Sequence, residues 1–194
     1  TGVVTASITE TDASTLATLN ETGHAYTITI GDTSVTAANL NTIDAVTTVA
    51  ITASAATTIT GSASAVNTAL SSSGINGLGE EFVTLSGTTS VADANTVSGK
   101  TTGTVTATIS EGDAATLVTL NETTNAYTIT VTDGSVSAAN LITLDGLTSV
   151  AVAVNSTTIT GSASDVLSVY NANTAGTISG LGNEAVTISG ASSA

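Results

Sequence analysis

ITETDASTLATLNETGHAYTITIGDTSVTAANLNTIDAVTTVA, residues 8–50, returns at residues 109–151 as ISEGDAATLVTLNETTNAYTITVTDGSVSAANLITLDGLTSVA, an offset of 101. Further along, TTITGSAS at 57–64 recurs at 157–164, and GLGEEFVTLSG at 77–87 recurs as GLGNEAVTISG at 180–190. The offset falls to 100 and then rises to 103, so one residue is lost and three are gained, changes expected to lie in loops. The chain is two copies of one plan, residues 1–101 and 102–194. Copy two ends VTISGASSA where copy one continues VTLSGTTSVADAN, the expectation for a piece of a longer array.

Each copy subdivides again. TDASTLATL (11–19), VTAANLNTI (35–43), SASAVNTAL (62–70) and VADANTVSG (91–99) share a pattern with GDAATLVTL (112–120), VSAANLITL (136–144) and SASDVLSVY (162–170). The apolar pairs Leu16/Leu19, Leu40/Ile43 and Leu117/Leu120 are spaced i,i+3, which predicts a short helix with one apolar stripe. Ser90-x-x-Asp93, Ser110-x-x-Asp113 and Ser162-x-x-Asp165 read as capping boxes that open such helices. Strict alternation follows in Tyr26-Thr-Ile28-Thr-Ile30, Val49-Ala-Ile51, Val105-Thr-Ala107-Thr-Ile109 and Val150-Ala-Val152-Ala-Val154, the pattern of half-buried strands.

One short helix and one parallel β-strand per turn of about 25 residues predicts an α/β solenoid, with about four turns in each copy. An all-β solenoid satisfies part of the same pattern, and a β-sandwich per copy satisfies less of it. Composition supports stacking. Thr, Ser and Ala make up 97 of the 194 residues. Strands stack at about 4.8 Å, whereas helices ordinarily need about 8–10 Å, so small helix residues ease the mismatch.

The same composition excludes chemistry. With 15 acidic residues, Lys100 as the single base and a net charge of −14, the chain cannot neutralise a phosphate backbone. Nucleic acid, anionic membrane surfaces and phosphorylated substrates are therefore not expected partners. There is no Cys, so disulfides and thiolate catalysis are excluded. The mean hydropathy of +0.41 is high, but Thr, Ser, Asn and Gly break every apolar run, so no membrane insertion is expected. The opening TGVVTASITE shows no basic signal-peptide region.

The phrases TSVADANTVSGKTTGTVTATIS, TTITGSASDVLSVYNANTAGTISGLGNEAVTISG and LNETTNAYTITV resemble repeats in very large secreted surface proteins of marine cyanobacteria and other Gram-negative bacteria, often exported by type I secretion. The resemblance implies an extracellular, structural repeat region of an adhesin-like, cell-surface or filament-forming protein. Separately, an exposed terminal solenoid turn would be an unpaired sheet edge, so self-association end to end or with further repeats of the same protein is the expected partnership. The calcium-binding nonapeptide G-G-x-G-x-D of that secretion class is absent.

Acidic residues recur at equivalent positions: Glu10/Glu111, Asp12/Asp113, Glu21/Glu122, Asp32/Asp133, Asp44/Asp145 and Glu81/Glu184. Hard oxygen ligands suit calcium, so Glu10, Asp12, Asp32, Glu111, Asp113 and Asp133 are the candidate metal ligands of a calcium-dependent adhesin or S-layer-like segment. The competing reading makes Asp12 and Asp113 helix caps, Asp32 and Asp133 turn residues, and the others solubilising charge. No catalytic residue and no resident cofactor is assigned, and an enzyme is not expected. His24 is replaced by Asn125 in copy two and reads as a surface loop residue. Thr-x-Thr pairs at 27/29, 58/60, 106/108, 128/130 and 158/160 suggest an ice-binding face if they stack.

Overall fold

A computed structural model of the chain describes residues 2–190. They form two compact units, one of residues 2–87 with 96–105 and one of residues 88–95 with 106–190.

In the first unit the order is β1 (Thr5–Ser7), α1 (Ala13–Leu16), β2 (Ala25–Thr27), β3 (Ser34–Thr36), α2 (Ala37–Val46), β4 (Ile51–Thr52), β5 (Thr58–Gly61), α3 (Ala63–Ser71), β6 (Ile75–Asn76) and β7 (Phe82–Thr89). β7 leads into α4 (Val91–Ser98). Pairing is parallel and in register with the repeat: Ser34 lies opposite Thr58, Thr58 opposite Phe82, and Ile51 opposite Ile75, each step 24 residues. Each period therefore carries two short strands, one before and one after its helix. This corrects the expectation of one strand per turn. The second strand hides in the sequence because TTITG offers only one apolar residue, Ile59, between threonines.

At α2 and α3 the strand-to-helix junction has no loop, whereas α1 begins six residues after the end of β1. Thr36 is the last residue of β3 and also caps α2, its hydroxyl accepting from the Asn39 N–H at 3.2 Å. Ser62 follows β5 directly and caps α3 by accepting from the Ala65 N–H at 3.3 Å. Thr and Ser suit both tasks, since they tolerate extended backbone and supply a capping oxygen. Ala37, Leu40, Ile43 and Val46 then turn the buried side of α2 inward, and α2 contacts both α1 and α3. Burying one such Leu or Ile contributes about 1.5–3 kcal/mol.

The second unit repeats the order: β8 (Val105–Ile109), α5 (Ala114–Leu117), β9 (Ala126–Thr128), β10 (Thr130–Val131), β11 (Ser135–Ser137), α6 (Ala138–Leu147), β12 (Val152–Val154), β13 (Thr158–Gly161), α7 (Ala163–Ala175), β14 (Ile178–Ser179) and β15 (Ala185–Ile188). Ser135 pairs with Thr158 and Thr158 with Ala185, again in parallel. The three-residue gain of copy two lies in a helix and not in a loop. α7 has 13 residues against 9 in α3, and Gly176 ends it in the left-handed conformation with φ 83°.

The class is thus mixed α/β with parallel sheets, and seven helices among the described residues exclude the all-β alternative. Helices occupy all seven recurring motifs. Among the described residues no helix is long and apolar enough to cross a membrane.

Two glycines mark a close approach. Gly77 has φ +90°, and a Cβ there would sit 2.8 Å from the Ser54 Cα; its counterpart Gly180 has φ +91° and would meet the Val154 carbonyl. Gly87, at φ +74°, faces open space. Gly77→Ala should therefore cost about 1–3 kcal/mol of stability for the backbone conformation, plus the clash. Gly87→Ala isolates the first contribution, and urea denaturation should rank Gly77→Ala as the more damaging change.

Candidate functional site

The repeated carboxylates are the recurring set of ionisable groups, and eight of the twelve accept from backbone N–H groups. Asp12 caps α1, accepting from the Thr15 N–H at 2.8 Å. The hydroxyl of Ser14, at 2.7 Å, does most to hold its carboxyl below the ordinary carboxylate range, with the Thr15 amide and hydroxyl adding to it. Asp113 caps α5 in the same way, accepting from the Ala115 N–H at 2.8 Å.

Asp32 and Asp133 do more than sit in turns. Asp32 Oδ2 accepts from the Ala13 N–H at 2.7 Å, and Asp133 Oδ2 from the Ala114 N–H at 2.7 Å. Each reaches back 19 residues to the first turn of the preceding helix, where orphan amides and the helix dipole favour an anion. Glu111 does likewise in the second unit, accepting from the Val91 N–H with both oxygens at 3.1 Å. Glu10 instead folds over its own turn and accepts from the Thr11 and Asp12 N–H groups. So four of the six candidate calcium ligands meet in pairs at helix N-termini, Asp12 with Asp32 on α1 and Asp113 with Asp133 on α5, while Glu111 serves the start of α4 and Glu10 its own turn. Among the described residues no group of three or more His, Cys, Asp or Glu comes together to hold a metal.

Two of the three predicted capping boxes form. Ser90 Oγ accepts from the Asp93 N–H at 3.1 Å, and Ser162 Oγ from the Asp165 N–H at 3.1 Å; each hydroxyl donates to the same aspartate's carboxylate. Ser110 does not cap. Its hydroxyl donates to Glu111, and α5 opens three residues later on Asp113.

Thr47 and Thr148 are bridging residues that the sequence pattern does not reveal. Thr47 Oγ1 accepts from the Tyr26 N–H and donates to the Tyr26 carbonyl, at 3.0 and 2.8 Å. Thr148 treats Tyr127 identically, at 2.9 and 2.8 Å. Their only sequence signal is identical placement after a helix, which many other threonines share. His24 is half-buried, not a free loop residue: its Nδ1 accepts from the Val4 N–H at 3.1 Å. In copy two the equivalent Asn125 donates to the Tyr127 hydroxyl at 2.8 Å.

Glu81 and Glu184 close their own turns, accepting from the Gly79 and Gly182 N–H groups at 2.8 Å. Burial raises the Glu184 carboxyl, but the amides of Gly182 and Asn183 and the Tyr170 hydroxyl outweigh it, leaving a net lowering. Tyr170 is pushed up by burial and by Glu184, to which it donates at 3.1 Å. The signs follow. Glu184 stabilises fully above the ordinary Glu range and loses its contribution as pH falls through its lowered value. Tyr170 stabilises fully below the ordinary Tyr range and loses its contribution as pH rises through its raised value. Thermal unfolding across pH should show both limbs, and Tyr170→Phe should weaken the alkaline one.

The Thr-x-Thr pairs do not build one flat face. Thr27 lies opposite Ser7 in one ladder, whereas Thr29 bridges to Thr52 in another. Thr58 and Thr60 stack between Ser34/Thr36 and Phe82/Thr84, so an exposed aromatic ring interrupts the rank. Thr106 faces Ala126, and Thr158 faces Ala185.

Among the described residues the surface carries depressions in both units. One of about 430 Å³ in the first unit is lined by Ser54, Gly77, Leu78, Glu80, Glu81 and Phe82. A smaller one of about 160 Å³ in the second is bordered by Asp113, Asp133, Ser135, Ser137 and Asn140. Comparison with protein-family models, curated proteins and solved structures finds no match to this chain.

Proposed function

We propose that this chain is a structural, extracellular repeat module of a large surface, adhesin-like or filament-forming protein, an α/β solenoid that acts as a stacked rod. The observation that carries the reading is the parallel ladder whose strands pair at sequence steps of 20–27 residues, crossed by carboxylates that bind the helix of the preceding period. Such periods bury their apolar side chains against neighbours, so length is added without a new core. A chain almost free of Lys, Arg, Cys, Met and Trp offers few oxidation or tryptic sites, which suits a long-lived exposed polymer. Further copies of the same repeat are its natural partners.

The second reading, a calcium-dependent adhesin or S-layer-like segment, draws on the oxygen-lined depression between Asp113 and Asp133. Chelation separates the two. With the carboxylates serving backbone amides, chelator should leave the melting temperature within about 1 °C. A fall of more than about 5 °C would transfer the function to calcium, because a ligand bound only to the folded state stabilises it by mass action.

A further inference from the structure

The two copies run in step through the turn that follows β6 and β14, GLGEEF at 77–82 and GLGNEA at 180–185. Their frame is common. Gly77 and Gly180 share a positive φ, and Glu81 and Glu184 each accept from the amide of the glycine two residues earlier, at 2.8 Å. Two positions differ: Glu80 stands where copy two has Asn183, and Phe82 where it has Ala185. Both of these copy-one residues line the depression of about 430 Å³ in the first unit, a volume within the range of small-ligand sites.

Phe82 is the single Phe of the chain, and it is 58% exposed. This is not the exposure of a sheet edge. Phe82 opens β7, which has a neighbour on each side: the Phe82 N–H donates to the Thr57 carbonyl and the Val83 N–H to the Thr104 carbonyl, both at 3.0 Å. Alternation along β7 buries Val83 and Leu85 and leaves Phe82 outside. Periods added to the ladder pair with other strands, so they leave this ring uncovered.

The rest of the lining sets the chemistry. Glu80 is exposed, Glu81 is 2% exposed with its carboxylate tied to the Gly79 amide, and Ser54 adds a hydroxyl oxygen. Among the described residues no basic side chain lines the depression. An anion would meet like charge and the negative face of the ring, whereas both attract a cation. A guanidinium suits the pair better than an ammonium, because it is planar, stacks on an aromatic face and offers a carboxylate two parallel N–H groups.

We infer that this depression binds a guanidinium group, stacked on Phe82 while Glu80 accepts from its N–H edge and Glu81 holds the turn. The site goes beyond the rod reading and does not depend on it. Copy two keeps the turn without the two contacting side chains, so it serves as an internal control.

Two-dimensional NMR of the isotope-labelled 194-residue chain tests the site, with methylguanidinium and N-acetyl-arginine amide as probes at constant ionic strength. The Gly79 and Phe82 amides should shift and saturate in the millimolar range, while those of Gly182 and Ala185 stay in place. Equal affinities of the two probes point to a free guanidine, and tighter binding of the amide points to an arginine within a peptide. N-acetyl-citrulline amide, which keeps the shape without the charge, should not bind. Phe82→Ala and Glu80→Asn place in copy one the residues that copy two carries in the same turn, so both variants should fold. Each should weaken binding by about fivefold, read at Gly79. An absence of shifts at about 50 mM probe, equal shifts at both turns, equally tight binding of the citrulline amide, or unchanged affinity in Phe82→Ala would overturn the inference.

Discussion

Leu40→Ala and its counterpart Leu141→Ala should each lower the free energy of unfolding by about 2–5 kcal/mol. Both side chains are fully buried on the central helix of their unit. The loss combines the transfer energy of the missing methyl groups with a cavity, and the cavity resists closure here. Backbones registered on a parallel ladder cannot shift independently to fill the space. Because the two sites are equivalent, urea denaturation should give losses of similar size. Leu167→Ala provides the control: this side chain is largely exposed on α7, and its loss should stay within about 0.5 kcal/mol. Losses below about 1 kcal/mol at Leu40 and Leu141 would mean that the helices do not close the core as described.

Removing a carboxylate that reaches back to the preceding helix should come next in size. Asp133→Ala leaves the Ala114 N–H without its acceptor and removes an anion from a helix N-terminus, a loss of about 1.5–3 kcal/mol for a charge-assisted hydrogen bond. Asp133→Asn keeps an acceptor oxygen and should recover about half of that loss. Asp32→Ala and Asp32→Asn should behave alike in the first unit, where the geometry is the same. Hydrogen exchange offers a local readout, since the Ala114 amide should lose protection first in Asp133→Ala. Calcium addition that rescued Asp133→Asn would contradict the assignment.

The helices were legible because a short helix needs little: an i,i+3 apolar pair and a capping oxygen, both present at Leu16, Leu40 and Leu117. The alternating strands were legible where three apolar residues recur, as in Val105–Ile109. The second ladder was not, because Ile59 or Val35 alone between threonines gives no periodicity to read. The role of Asp32 and Asp133 escaped for a different reason. A residue preceding a strand looks like a turn former locally, and its partner lies 19 residues away, a distance fixed only by the register of the ladder. Ser110 shows the reverse error: a local match to a cap lost to Asp113, which places its oxygen directly at the first turn.

The junction at Thr36 and Ser137, where one residue closes a strand and opens a helix, constrains how a gene for such repeats drifts. An inserted or deleted codon there would rotate the helix and carry its cap out of reach. The exit side of a helix tolerates length change, as the three residues gained in copy two, which lengthen α7 by four relative to α3, demonstrate. Recombination between copies therefore has safe and unsafe breakpoints, and sister repeats should differ in length on the exit side of their helices while the entry side stays fixed in frame.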